Sequence, residues 1–187
     1  VIHNKPIRVV EGDPENDARF AVCPLDVYEE LAQVRNEQSG LEIFQGIDYT
    51  EFPFRLIGRR LKHALNSLGL ELPGLAEVAT TNYAYVHPKD LEAFGAQSGD
   101  LLKITSPQAS VVGVAESDPG IKRGVIAMSH SWGGLSLTDE KVRDIGTPTN
   151  RLVTSDNGFD RITGLPVMSA IPVNVHLVSD DELQEVV

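Results

Sequence analysis

Between Phe54 and Val178 the chain is a succession of short apolar runs, each closed by glycine, proline or a polar turn. Such runs are too short for packed helices and are rich in Val and Ile, so they favour a β-rich fold over a helical bundle. The strand candidates are Phe54–Gly58, Ala84–His87, Leu101–Thr105, Val111–Ala115, Val125–Met128 and Ile171–Val178. A turn at Ser106-Pro107-Gln108 makes a hairpin of the third and fourth. Turn formers are plentiful, with 16 Gly and 11 Pro in 187 residues, and this length suits one domain. The segment Ser129–Ala170, between the last two strands, is too long to be an idle connection.

Helices are expected in three places. Leu25–Gln38 carries Tyr28, Leu31, Ala32 and Arg35 on one face and stops at Ser39-Gly40. Leu61–Leu68 places Leu61, Ala64, Leu65 and Leu68 at i, i+3, i+4 and i+7, with Gly69 to end it. Pro88 opens a third helix, Leu91 and Phe94 point inward, and Gly95 closes it. Residues 1–22 read as an arm, and the acidic tail from Ser179 as solvated. Cys23 reads as a small buried apolar group.

Several function classes are disfavoured at once. A net charge of −11 argues against a general nucleic-acid binder. One cysteine rules out a disulfide framework and any site built from several local thiolates. No apolar run approaches the length that spans a bilayer. The chain begins at Val1, which suggests a processed protein or a piece of a longer one.

The densest chemistry lies in Arg55–His63, where four of the 16 Lys and Arg fall with a histidine and no acid. A strand there passes through Gly58 into the expected helix start, whose unpaired N–H groups and dipole would favour an anion. Flanking arginines can clamp phosphate with paired hydrogen bonds. The alternative is a solvated basic face. Neither GxxxxGK[ST] nor GxGxxG occurs. A second constellation, Ser129-His130-Ser131-Trp132-Gly133-Gly134, could wrap a planar heterocycle, with the indole stacking on it and Ser and His hydrogen bonding. Its alternative is a tryptophan plugging the barrel end. Asn150 can present donor and acceptor to a ring edge, or simply cap a turn. No GxSxG, HExxH or metal-spaced histidine set is present, so the residues look equipped to hold a ligand and not to transform one.

Taken in order, these pieces resemble the C-terminal molybdopterin-dinucleotide-binding domain of the molybdenum/tungsten bis-pterin oxidoreductases, the dimethyl sulfoxide reductase superfamily. The match rests on Phe54-Arg55-Leu56-Ile57-Gly58-Arg59-Arg60 with His63, Asn66 and Ser67; on His87-Pro88-x-Asp90 leading through Gly95 to Gly99-Asp100; on Gly124-Val125-Ile126 running into His130-x-Trp132-Gly133; and on Thr149-Asn150-Arg151-Leu152 leading to Gly164-x-Pro166. One departure is Ser131, where the family often carries glycine or an aromatic residue. The resemblance implies a mainly β fold with short helices, a six-stranded double-psi β-barrel of the aspartate-decarboxylase-like kind. It implies a barrel over residues 52–178, an N-terminal arm and connector helix over 1–51, and an acidic tail over 179–187. The implied cofactor is molybdopterin guanine dinucleotide, touched by Gly58, Arg59, Arg60, His63, Asn66, Ser67, Ser129, His130, Trp132, Gly133 and Asn150.

The resemblance places molybdenum or tungsten, and any iron–sulfur cluster, in N-terminal catalytic domains of the same polypeptide. It suggests a formate-dehydrogenase-like parent, expected in the cytoplasm. Such a barrel has two other uses. A pyruvoyl-dependent decarboxylase needs an internal Gly-Ser cleavage site, and no Gly-Ser dipeptide occurs. A protein-interaction barrel would show an exposed apolar patch and leave the basic cluster without a ligand.

Overall fold

The computed structural model describes residues 12–15, 22–36, 44–66, 68–70, 72–78, 80–133, 141–179 and 182. It divides into two compact units, Val1–Glu37 and Gln38–Val187. In the first, helix α1 spans Leu25–Asn36, just short of the expected end; Ser39-Gly40 lies outside the described residues. Nothing in α1 is buried, and Leu25, Tyr28 and Leu31 are all more than half exposed. Cys23 is exposed as well, against the expectation that it would pack as a buried apolar group. It stands just before a helix that makes no core.

The second unit contains β1 (Phe54–Gly58), α2 (Pro73–Ala76), β2 (Ala84–Val86), α3 (Pro88–Phe94), β3 (Leu101–Thr105) and β4 (Ser110–Ser117). These are followed by β5 (Val125–Met128), α4 (Val142–Ile145), a 3-10 turn (Thr149–Leu152) and β6 (Ile171–Leu177). The strands close a barrel in the order β1-β5-β2-β4-β3-β6, the expected six-stranded mixed β-barrel. Pairs β1–β5 and β2–β4 are parallel and the other four antiparallel. It follows that β1, β3 and β5 finish at one end of the barrel, where β2, β4 and β6 begin. We call this the upper end.

Side chains alternate in and out, as the period of a strand requires. Leu56, Val86, Leu102, Ile104, Val111, Ile126, Met128, Ile171 and Val173 fill the interior. Each such side chain contributes about 1.5–3 kcal/mol by leaving water. Gly113 on β4 is small for a packing reason: a Cβ there would lie 3.2 Å from Met128 Cε and 3.3 Å from Ala84 Cβ. The outer face of β4 is covered separately, where Val112 and Val114 cluster with Val142 and Val178.

Helix α3 forms as its sequence indicates. His87 caps it, accepting from Lys89 N at 3.1 Å through Nδ1, Pro88 opens it, and Gly95 ends it at φ 70°. Leu91 enters the core and Phe94 meets Phe54 edge-on at 5.2 Å. Asp90 is buried and ties the helix to the entrance of β5, accepting from Gly124 N at 2.7 Å and Arg123 Nε at 3.0 Å.

Two expectations need correction. There is no helix over Leu61–Leu68. The β1 ladder runs on past Gly58, with Arg59 N donating to Met128 O at 2.8 Å, and Leu65 and Leu68 then pair across a turn whose Asn66 has φ 57°. A left-handed residue cannot continue a right-handed helix. Leu65 and Leu68 are 60% and 68% exposed, so their helical spacing faced no core. The tail is not wholly solvated either. Lys103 Nζ donates to Glu182 Oε1 at 2.8 Å and Ser179 N to its Oε2 at 3.1 Å, which hold the Glu182 carboxyl at about 2.

Asp90→Ala should lower the unfolding free energy by about 1–2 kcal/mol, because it leaves the half-buried Gly124 N–H unpaired. Arg123→Ala, on the exposed side of the same pair, should cost under about 1 kcal/mol. Denaturant midpoints compare the two; equal losses would show that the carboxylate matters only through the arginine.

Candidate functional site

The parallel register Gly58↔Met128 sends the segments after β1 and after β5 out of the upper end side by side. At Gly58 the strand is exposed, and a Cβ there would meet nothing within 4 Å. Packing does not call for glycine at this position, and the backbone is left open to close approach.

The basic cluster divides into two kinds of residue. Arg55 Nη1 donates to the carbonyls of Phe52 and Phe54 at 2.9 and 2.8 Å, and its guanidinium lies 4.4 Å from the Tyr49 ring centroid. Arg59 stacks over Tyr85 at 3.7 Å and pairs with Asp118 Oδ2 at 2.7 Å. The hydrogen bond from Arg59, then that from Gly120 N, holds the Asp118 carboxyl below its usual range. Burial raises the Tyr85 phenol, against the pull of Arg59. Arg55 and Arg59 are thus engaged within the fold. Arg60 is exposed and donates to the neutral Asn66 Oδ1 at 2.8 Å, and Lys62 is exposed. The support from a helix start is withdrawn, since no helix begins here.

His63 is half-buried, and its Nε2 is buried without a hydrogen-bond partner among the described residues. The same holds for Trp132 Nε1 on the neighbouring loop. Two of the predicted contact residues therefore carry a buried polar atom with no partner among the described residues, which costs stability unless a further group satisfies it.

The Ser129–Gly133 loop is tightly tied. Ser129 is buried and His130 half-buried; Ser131 is exposed at φ 65°. Trp132 is only 4% exposed, so its ring faces are covered by the chain, which favours the packed ring over the stacking one. The indole is buried, and its N–H is left without a partner among the described residues. Gly133, at φ 87°, has no room for a Cβ, which would lie 2.5 Å from Pro148 Cδ. That approach brings in the turn Thr149–Leu152, on which Asn150 is exposed. Ser67 and Gly134 lie outside the described residues.

Sequence reasoning missed Asn82. It is 1% exposed, its Nδ2 donates to the carbonyls of Ser129 (2.7 Å) and Thr147 (2.9 Å), and its Oδ1 accepts from Thr147 N (2.8 Å). No local pattern marks it, because its partners are far along the chain. A cavity of about 180 Å³ at the same end is lined by Phe44, Ile47, Leu152, Val153, Ile171 and Pro172, among others. Among the described residues no His, Cys, Asp and Glu group could hold a metal, and no helix is long and apolar enough to cross a membrane.

Residues 54–172 match the model of a family described as the molydopterin dinucleotide binding domain. The chain is 30% identical over 179 residues to a tetrathionate reductase subunit of Salmonella typhimurium, covering 86% of this chain and 17% of that one. It is 27% identical over 135 residues to the molybdopterin-containing subunit of arsenate respiratory reductase of Chrysiogenes arsenatis, covering 63% and 15%. The chain thus spans less than a fifth of either relative. Among solved structures, acetylene hydratase from Pelobacter acetylenicus shares the fold at a TM-score of 0.58 and 18% identity, over 68% of this chain and 19% of that one.

Ser131 in the left-handed region costs about 1–2 kcal/mol, which glycine would relieve while losing about 0.5–1 kcal/mol of its own in chain entropy. Ser131→Gly should therefore raise the unfolding free energy by roughly 0.5–1 kcal/mol. A neutral or destabilising result would show that the loop stores no strain.

Proposed function

Because the chain belongs to the molydopterin dinucleotide binding domain family, we propose that its barrel end, from Gly58 to His63 and from Ser129 to Gly133, holds molybdopterin guanine dinucleotide for a larger oxidoreductase. The observation that carries this reading is the parallel β1–β5 pair, which sets two segments with orphaned buried donors or acceptors, His63 Nε2 and Trp132 Nε1, at one end. When bound, the cofactor supplies metal-centred redox chemistry, and the protein supplies binding and orientation. Gly58 offers open backbone beside the diphosphate, and Arg60, which donates to the neutral Asn66 amide, offers it a charge. His63, His130 and Trp132 offer polar ring atoms. Ser129, Gly133, Asn66 and Asn150 are the further contacts in this reading. Arg59, already paired with Asp118, braces the segment that carries the other groups.

The wider reading follows the relatives. We propose that residues 1–51 are an arm and connector, 52–178 the cofactor-binding barrel and 179–187 a tail, within a polypeptide whose other domains hold the metal and the substrate. A tetrathionate and an arsenate reductase support a parent that reduces an oxyanion, and they give no support to formate oxidation. A second reading, protein contact, draws on Leu65, Leu68, Leu72 and Val78, each more than half exposed. The two are compatible, since a barrel held inside a much longer polypeptide needs an apolar surface to meet its neighbours.

Titrating the chain with molybdopterin guanine dinucleotide tests the reading. Gly58→Val and Arg60→Ala should each weaken binding about tenfold or more, which is about 1.4 kcal/mol, with melting temperature unchanged. Unaltered affinity in both variants would contradict the assignment.

A further inference from the structure

Met128 is the last residue of β5, and its carbonyl still accepts a ladder bond from Arg59 N. The next carbonyl, Ser129 O, does not continue the ladder but accepts from Asn82 Nδ2. At this point the chain leaves the sheet. Ser131 then turns through the left-handed region, Trp132 goes inward, and Gly133 N donates to Ile145 O at 2.9 Å. The far side of the latch is Gly146-Thr147, whose Thr147 N and O both bond the Asn82 carboxamide. Gly146, at φ 76°, admits no side chain because its Cβ would collide with Asn82 Oδ1.

The Ser129–Gly133 loop is thus pinned at both ends, once on Asn82 and once on the segment that Asn82 also holds. We infer that Asn82 is the positioning residue of the site: its carboxamide sets the loop that directs His130 and the Trp132 N–H, and thereby sets affinity for the dinucleotide. The effect on affinity rests on the function proposed above; the effect on the loop does not. The geometry needs a group that donates twice and accepts once on a short stem. Asparagine does so, whereas aspartate of the same shape turns a second acceptor toward two carbonyls.

Trp132 is the only tryptophan of the chain, so its emission reports this loop with no ligand present. In Asn82→Ala the emission should move to the red at any pH, with the far-ultraviolet circular dichroism of the barrel retained and dinucleotide affinity lowered tenfold or more. In Asn82→Asp both defects should appear at neutral pH and recede as the pH falls, because a protonated carboxyl can again donate to Ser129 O. Burial raises that carboxyl's pKa and brings the recovery within reach. A merely structural asparagine would move the emission without a matching pH-reversible change in dinucleotide affinity. If Asn82→Ala does not fold, Asn82→Ser, which keeps a hydroxyl on a shorter stem, is read in the same way.

Wild-type emission from a folded Asn82 variant would overturn the inference. So would a shifted emission with unchanged affinity. If the wild-type chain itself did not bind the dinucleotide, the proposed function would fall, while a pH-reversible shift in Asn82→Asp would still support the loop-setting role.

Discussion

The parallel pairing of β1 with β5 constrains everything else at the functional end. A parallel pair cannot be joined by a tight turn, so the chain must travel through β2, α3, β3 and β4 before it can lie beside its first strand again. Closure of the barrel leaves no free sheet edge, and the unpaired backbone groups collect at the strand ends. Arg59 N on Met128 O is the last rung of the shared ladder. Above it the two segments leave the sheet, and the proposed dinucleotide contacts lie on them.

Electrostatics at this end differ from what a simple sum of charges implies. Four cationic side chains stand in the Arg55–His63 stretch of a chain whose net charge is −11. Arg55 spends its guanidinium on the carbonyls beneath it, and Arg59 on Tyr85 and Asp118. A guanidinium bonded through Nη1 to a carboxylate keeps other N–H donors, but its charge is largely compensated, which weakens its pull on a diphosphate. In the proposed reading, the uncompensated charge comes from Arg60 and Lys62, and the polar recognition from His63 and the Trp132 loop.

Most of the fold is legible in the sequence because it follows from local pattern. The six strands stand where short Val- and Ile-rich runs meet turn residues, and α3 stands where Pro88 and Gly95 bracket Leu91 and Phe94. Leu61–Leu68 misleads because apolar spacing says nothing about whether a core awaits that face; Asn66 in the left-handed region decides the question locally. Trp132 suggests a stacking ring, but its burial is decided by Gly146 and its neighbours, which contact it only after the chain has returned. Asn82 is invisible for the same reason, with partners 47 and 65 residues away. Non-local contacts of this kind set the site, while local pattern sets the scaffold.

Amide hydrogen exchange, with and without molybdopterin guanine dinucleotide, tests most directly whether this end of the barrel is where the cofactor sits. Bound dinucleotide should slow exchange in residues 59–63 and 130–133, at the ends of β1 and β5, and leave the opposite end, residues 87–90 and 121–124, unchanged. Protection confined to that opposite end, or spread evenly over the barrel, would contradict the account.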